Sequence, residues 1–532
     1  MLVPVLLLAA AVSPPSAAAS SAALDRLFAA VDRPDSPGCV VDVRRAGVPL
    51  AMRRYGLADL ETRSPIAFDT VFEAGSVSKQ VVGALLAQLA ERGALSLDDS
   101  VRRWLPELPP LYQPIRVSML LHHTSGIREW SDLVALSGWP RGTRAYTMDD
   151  VLALLAAQRE LNFAPGSEYL YSNSNYLLAA RVAERAGGDS LQALSQRLLF
   201  APLGMRRTRW RSDYRSVVPG RAQAYAHDDA GQWRLDMPFE QVIGPGGLLT
   251  TVGDLQRWNA ALDVGGGWRA RMAEPGALVD GTPVAYGLGL ELEPVNGVAA
   301  LSHAGATAAY HAWLGRLPSL HLSIAMLCNA GSIDTEALGP QLAALFMPPA
   351  AASPAATAPV VALADDLPGR YRNLASDGIV ELRRESGLLR LGERRYAPMA
   401  PDRLRADDGR LLQVERDRAG AIVALQVERP GNRPARLQPA PSWQPDAAAL
   451  AAAAGRYRSA ELALDIALRV EDGHLLWVDP RGQRTQLQPT GLDTFRGEGW
   501  NLRLLRDAQG HAQGLRMSSG RVRQLALQRL PD

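Results

Sequence analysis

Lysine is nearly absent from this sequence: of its 57 lysines and arginines, Lys79 alone is a lysine. A coding bias toward Arg, Ala, Gly and Pro accounts for the scarcity. It does not account for the position, three residues after a serine in Glu73-Ala74-Gly75-Ser76-Val77-Ser78-Lys79. Arginine stays protonated at any ordinary pH, whereas a desolvated lysine can lose its proton and act as a base beside a nucleophile. Cysteine is almost as scarce. Cys39 and Cys328 are too few for a disulfide scaffold or a Cys-based metal site. An excess of one charge is also missing, since 57 basic and 55 acidic residues leave a formal +2. Without a basic stripe, nucleic acid is not an expected partner. Past the N-terminus no apolar run approaches the ~18 to 20 residues of a transmembrane helix, so no stable membrane insertion is expected. No cofactor and no metal is expected either.

What is present is a folded, multidomain composition, because 532 residues exceed what one hydrophobic core supports. Leu2 to Val12 is apolar and is followed by Ala17-Ala18-Ala19, the pattern of a signal peptide over residues 1–19, although its start lacks Lys and Arg. A frayed Ala-rich N-terminus is the alternative. The expectation is a soluble exported protein, secreted or periplasmic. Residues 20–346 mix helical and strand signals. Val82, Leu85, Leu86 and Leu89 recur at helical spacing up to Gly93, and Cys39 to Val43 reads as a strand. Thr147 and Asp150 form a capping-box pattern, Tyr176 to Arg185 is helical up to Gly187-Gly188, and Ala309 to Leu317 with Leu322 to Leu327 reads as a strand pair. Residues 347–363, rich in Pro and Ala, read as a linker. Beyond them Gly369-Arg370-Tyr371-Arg372 recurs as Gly455-Arg456-Tyr457-Arg458. The repeat marks two small antiparallel β-barrel domains, 364–440 and 454–532, separated by a second linker at 441–453.

Residues three apart on a helix share a face, so Ser76 and Lys79 form a Ser-x-x-Lys pair. At a helix start, unpaired backbone N–H groups and the positive end of the dipole lie where negative charge develops when a hydroxyl attacks a carbonyl. The spacing alone is modest evidence, because a lysine finds serine at that offset roughly one time in fifteen. Tyr171-Ser172-Asn173 and His303-Ala304-Gly305 are equally weak alone, with Asn173 readable as a helix cap and His303 as an ordinary polar residue.

Together and in order, Phe72 to Lys79, Tyr171-Ser172-Asn173 and His303-Ala304-Gly305-Ala306 resemble the three motifs of the penicillin-recognising serine hydrolases. Leu120-Leu121-His122-His123-Thr124-Ser125-Gly126, Pro202-Leu203-Gly204-Met205 and Gly246-Gly247-Leu248-Leu249-Thr250-Thr251 match as well. In that family the His122-His123 stretch is structural, not metal-binding. The resemblance implies a β-lactamase/transpeptidase-like α+β domain: an antiparallel five-stranded sheet with helices on both faces, plus a helical subdomain, ahead of the two barrels. It implies Ser76 as nucleophile with Lys79 and Tyr171 sharing the proton work, leaving open which is the base. It further implies an oxyanion hole from the backbone of Ser76 and Ala306, and substrate contacts from Asn173, His303 and Gly305.

His303 stands where β-lactamases and carboxypeptidases place a lysine, which argues against strong β-lactamase activity. The architecture is most similar to the D-aminopeptidase type, in which a third-domain loop limits substrates to short chains with a free amine. Asp479-Pro480-Arg481-Gly482-Gln483-Arg484 is the corresponding candidate. Asp479 suits an amine, and Arg481 and Arg484 suit a carboxylate. The family sheet order also brings the Cys39 and Cys328 strands together, so a disulfide is expected by analogy. The reading is a serine hydrolase that forms an acyl-enzyme on Ser76 and releases N-terminal D-amino acids from short peptides, amides or esters. The alternatives are a carboxylesterase, a weak β-lactamase or D-Ala carboxypeptidase on the same fold, and a non-catalytic binder of cell-wall peptide fragments. The partner is a small molecule or short peptide, and a homodimer is left open.

Overall fold

The computed structural model describes residues 17–348 and 364–531, apart from 368, 386, 407–408 and 430–432. The expected signal segment lies outside the described residues except for its last three, and so does the Pro/Ala linker from 349 onward. In chain order the catalytic-domain elements used below are α1 (Ala17–Leu27), β1 (Cys39–Arg45), β2 (Val48–Tyr55), α2 (Lys79–Glu91), α3 (Trp130–Leu136), α4 (Asn173–Gly187) and α5 (Val252–Asp263). They continue with β3 (Leu301–Thr307), β4 (Tyr310–Leu317), β5 (Leu322–Cys328) and α6 (Thr335–Ala344).

The five strands form one antiparallel sheet in the order β3-β4-β5-β1-β2. Alternation along each strand sends side chains to two apolar layers. Val41, Val43, Trp313, Ile324 and Met326 meet Leu24 and Phe28 of α1 and Leu342 of α6. Val40, Leu314, Ala325 and Leu327 face the helical side, which holds α2, α4 and α5. Cys39 pairs with Cys328 in the register of β1 and β5, and their sulfurs form a disulfide. Helix α2 runs through the middle of the helical layer, with every residue from Lys79 to Leu89 buried. It ends where Gly93 takes a left-handed conformation. The Thr147 and Asp150 side chains cap the helix Met148–Ala156 reciprocally.

Each Gly-Arg-Tyr-Arg repeat is the first strand of a closed eight-stranded barrel. Tyr371 and Tyr457 point inward, and each hydroxyl donates to a backbone carbonyl four residues upstream, Leu367 O at 3.1 Å and Ala453 O at 2.7 Å. Part of the segment 441–453, read from sequence as a linker, is a helix over Ala447–Ala453 with Asp446 as its N-cap. A run of alanines has the highest intrinsic helix propensity, and a capping Asp is enough to start it.

The second barrel docks on α3. Leu133 and Leu136 of that helix pack into the barrel's own apolar cluster with Tyr457, Trp477 and Leu525. Beside them the buried Arg128 and Glu461 form an ion pair at 2.5 Å. Among the described residues, no helix is long and apolar enough to cross a membrane.

Candidate active site

Ser76 lies in a single 3-10 turn, Gly75–Ser78, that runs directly into α2. The turn is wedged against β3, and two glycines allow the contact. A Cβ on Gly75, whose φ is +51°, would sit 2.5 Å from Ala306 N, and a Cβ on Gly305 would sit 2.1 Å from Ala74 O. No side chain fits in either place. Glu73, just upstream, is buried and anchored by Arg211 at 2.7 Å. Ser78 Oγ closes the turn, donating to Gly75 O at 2.6 Å.

Lys79 is fully buried one helical turn from Ser76. Its Nζ lies 3.0 Å from Ser76 Oγ and donates to Asn173 Oδ1 at 2.9 Å and Pro245 O at 2.8 Å. Tyr171 donates its hydroxyl proton to Ser76 Oγ at 2.9 Å. Burial pushes the Lys79 amine well below its ordinary range and the Tyr171 phenol well above its own. Desolvation disfavours the charged form of each, so near neutral pH the amine can lack a proton while the phenol keeps one.

Asn173 is the first residue of α4, and its side chain caps nothing. Its amide oxygen is on Lys79. The helix start is capped instead by Glu129, 44 residues upstream, which accepts from Asn173 N at 2.5 Å and from Asn173 Nδ2 at 3.2 Å. Glu129 is also the N-cap of α3, accepting from Ser131 N. Burial raises the Glu129 pKa, but the Arg521 guanidinium and the donors on Ser131 and Asn173 outweigh it and leave the group below its ordinary value. Two helix starts thus share one carboxylate, which the helix dipoles favour as an anion.

His303 is buried in β3 with Nε2 2.8 Å from the Tyr286 hydroxyl and Nδ1 2.5 Å from Ala304 O. That pairing puts its proton on Nδ1. Burial, with Lys79 nearby, pushes its pKa down to about 3, so it is a neutral imidazole. His122 and His123 belong to the scaffold: His122 Nδ1 meets Tyr286 O at 2.9 Å, and His123 Nδ1 meets Asn175 Nδ2 at 3.1 Å. Among the described residues, no group of three or more His, Cys, Asp or Glu is placed to hold a metal ion.

Ser76 opens into a cavity of about 720 Å³ whose wall includes Tyr171, Asn173, His303, Gly305 and Ala306. Glu291 and Glu336 also line it, Glu291 lying 4.0 Å from His303 Nδ1, and Arg141, Arg429 and Arg521 reach the cavity. Burial among Glu336 and Glu293 pushes the Glu291 carboxyl up to about 8, although its side chain is about 35% exposed.

Asp479 and Arg481, expected to contact substrate, are not in this wall. Their loop packs on Gly138 and Trp139, with Arg481 Nη1 donating to Gly138 O at 3.2 Å and its guanidinium 5.3 Å from the Trp139 ring. The second barrel docks on α3 so that a later loop, residues 519–524, presents Arg521 to the cavity instead. Sequence reasoning missed Arg521, Arg141, Tyr286 and Glu129. Only Glu129 left a trace, as an acidic residue directly before a helix start.

A sequence profile of the Beta-lactamase family matches residues 24–346. The chain belongs to that family and is a serine hydrolase. It is 30% identical over 472 residues to a D-aminopeptidase of Cereibacter sphaeroides, an alignment covering 85% of each chain. Esterase EstB of Burkholderia gladioli is 39% identical over 198 residues, 35% of this chain and 50% of that protein. Among solved structures, the octameric penicillin-binding protein homologue from Pyrococcus abyssi shares the fold. Its TM-score is 0.54 at 19% identity, covering 87% of this chain and 98% of that one.

Proposed function

We propose that the protein hydrolyses amide or ester bonds through an acyl-enzyme on Ser76, with N-terminal D-amino acid residues of short peptides, amides or esters as substrates. The observation that carries the reading is the convergence of a buried amine and a buried phenol on one hydroxyl: Lys79 Nζ and Tyr171 Oη lie 3.0 Å and 2.9 Å from Ser76 Oγ. A neutral Lys79 keeps two N–H bonds, which Asn173 Oδ1 and Pro245 O occupy. Its lone pair then faces Ser76 Oγ. Lys79 therefore takes the hydroxyl proton as Ser76 bonds to the acyl carbon, while Tyr171 is the donor. The oxyanion is held by the N–H groups of Ser76 and Ala306, on the turn and strand that Gly75 and Gly305 bring together. Collapse breaks the bond to the leaving group, which takes the Tyr171 proton, and Lys79 returns a proton to Tyr171. Water releases the acyl group by the same transfers in reverse.

The substrate class rests on the D-aminopeptidase of Cereibacter sphaeroides, similar over 85% of each chain, and a cavity of this size suits a small molecule or short peptide. Turnover of D-alanine p-nitroanilide, its N-acetyl derivative and short-chain p-nitrophenyl esters distinguishes the readings. Hydrolysis of the free-amine anilide supports the proposal, and turnover of the esters alone defeats it in favour of a carboxylesterase. Neutral His303 favours that second reading over a β-lactamase, because a neutral ring gives a substrate carboxylate no counter-charge. A binder of cell-wall fragments would take up no fluorophosphonate on Ser76. Export is part of the proposal, supported by the Cys39–Cys328 disulfide, which persists in oxidising compartments. N-terminal sequencing of secreted protein tests it.

A further inference from the structure

Resting on the acyl-enzyme reading above, we propose that Arg521 of the second barrel and Glu129 are positioning residues for Lys79, through a relay Arg521–Glu129–Asn173–Lys79 that completes the site across a domain boundary. Arg521 Nη1 lies 3.9 Å from Glu129 Oε2, and its Nη2 donates to Asp132 Oδ1 at 3.0 Å. Glu129 takes both N–H groups of Asn173, and Asn173 Oδ1 takes a hydrogen from Lys79 Nζ. The loop that carries Arg521 is held at several points. Arg521 O accepts from Asn162 Nδ2 at 2.9 Å, Arg523 N donates to Asn162 Oδ1 at 2.7 Å, and Gln524 Nε2 donates to Asp377 of the first barrel at 2.8 Å.

The relay solves an electrostatic problem. Glu129 is fully buried, and a lone buried carboxylate near an amine draws a proton onto it. A protonated Lys79 has no lone pair for Ser76. Arg521 supplies Glu129 with a permanent cation and at the same time repels a proton on Lys79. The other charged groups facing Lys79 are Arg141, which opposes protonation, and Glu291, which favours it. The rings around it are Tyr171 and Tyr176, with His123 and His303 close enough to feel its charge. Asp132 and Arg141 complete the charges near Glu129.

The test is the rate of fluorophosphonate labelling of Ser76 against pH in the full-length protein and in Arg521→Met, Arg521→Lys and Glu129→Gln. Removing a cation raises the Lys79 pKa and removing an anion lowers it, so the two neutralising variants must move the acid limb in opposite directions. Arg521→Met is expected to shift the limb up by roughly half to one pH unit, slowing labelling about three- to tenfold on the acid side. Glu129→Gln is expected to shift it down, and Arg521→Lys to stay near wild type. A residue that only holds the barrel in place would change amplitude and melting temperature but leave the limb where it is. An unmoved limb in Arg521→Met, or an upward one in Glu129→Gln, overturns the relay while labelling of wild-type Ser76 upholds the enzyme. Absence of Ser76 labelling in the wild type at every pH would remove both. Should Arg521→Met fail to fold, Glu129→Gln and Arg521→Lys decide the matter.

Discussion

The two barrels begin with the same tetrapeptide and close with the same strand count, yet they meet the catalytic domain in different ways. The second takes Leu133 and Leu136 into its core, buries Glu461 against Arg128, and joins Arg516 and Arg523 to Glu160 and Glu168. The first meets the catalytic domain at an exposed pair, Arg433 with Asp280 at 3.2 Å, and through Arg429, which lines the cavity beside Glu291. Its buried polar contacts go to its sister instead, where Asp377 receives Arg503 and Gln524. A barrel is a closed scaffold whose strands are satisfied internally, so its role is set by loop side chains and by the surface it docks on. Here the second copy docks through a buried contact and presents Arg521 to the cavity, while the first braces that loop and adds Arg429 to the cavity wall.

Substitutions at the two contacts should separate these roles. Glu461→Ala removes the nearest carboxylate from a fully buried guanidinium, an effect of about 3–5 kcal/mol. The second barrel should loosen, with faster proteolysis between the barrels and a lower melting temperature. An unchanged melting curve would mean that the buried pair does not hold the barrel. Leu133→Ala leaves a cavity in the shared core and should cost about 2–4 kcal/mol, read by chemical denaturation. A near-zero cost would show that α3 is not part of the barrel's core. Arg433→Ala, at an exposed pair, should leave melting and turnover unchanged, since such pairs contribute little. A marked loss there would erase the distinction between the barrels.

What the sequence reveals of this arrangement follows the range of the interactions. The Ser76 and Lys79 pair is legible because both lie on one helical turn, and the α2 core pattern is legible because Val82, Leu85, Leu86 and Leu89 repeat locally. Tyr171, Asn173 and His303 are weak signals singly, and their order in the chain, set against a known family, is what singles them out. Glu129 sits just before α3, a local hint of a cap, but it also caps a helix that starts 44 residues later, and no local spacing points to that role. Arg521 and the 479–484 loop depend on how the second barrel is turned, which Leu133, Leu136 and the Arg128–Glu461 pair decide. A rigid-body orientation leaves no period in a sequence. Residues 441–453 are ambiguous for a different reason, since an alanine run after Pro445 reads equally as linker or helix.

The most direct test of the central claim is intact-mass and peptide mapping of the protein after fluorophosphonate treatment, with Ser76→Ala and Lys79→Arg alongside. The account predicts one adduct on Ser76, none in Ser76→Ala, and loss of labelling in Lys79→Arg, where charge is kept but the proton cannot be given up. An adduct on another residue, or labelling of Lys79→Arg at the wild-type rate, would contradict it.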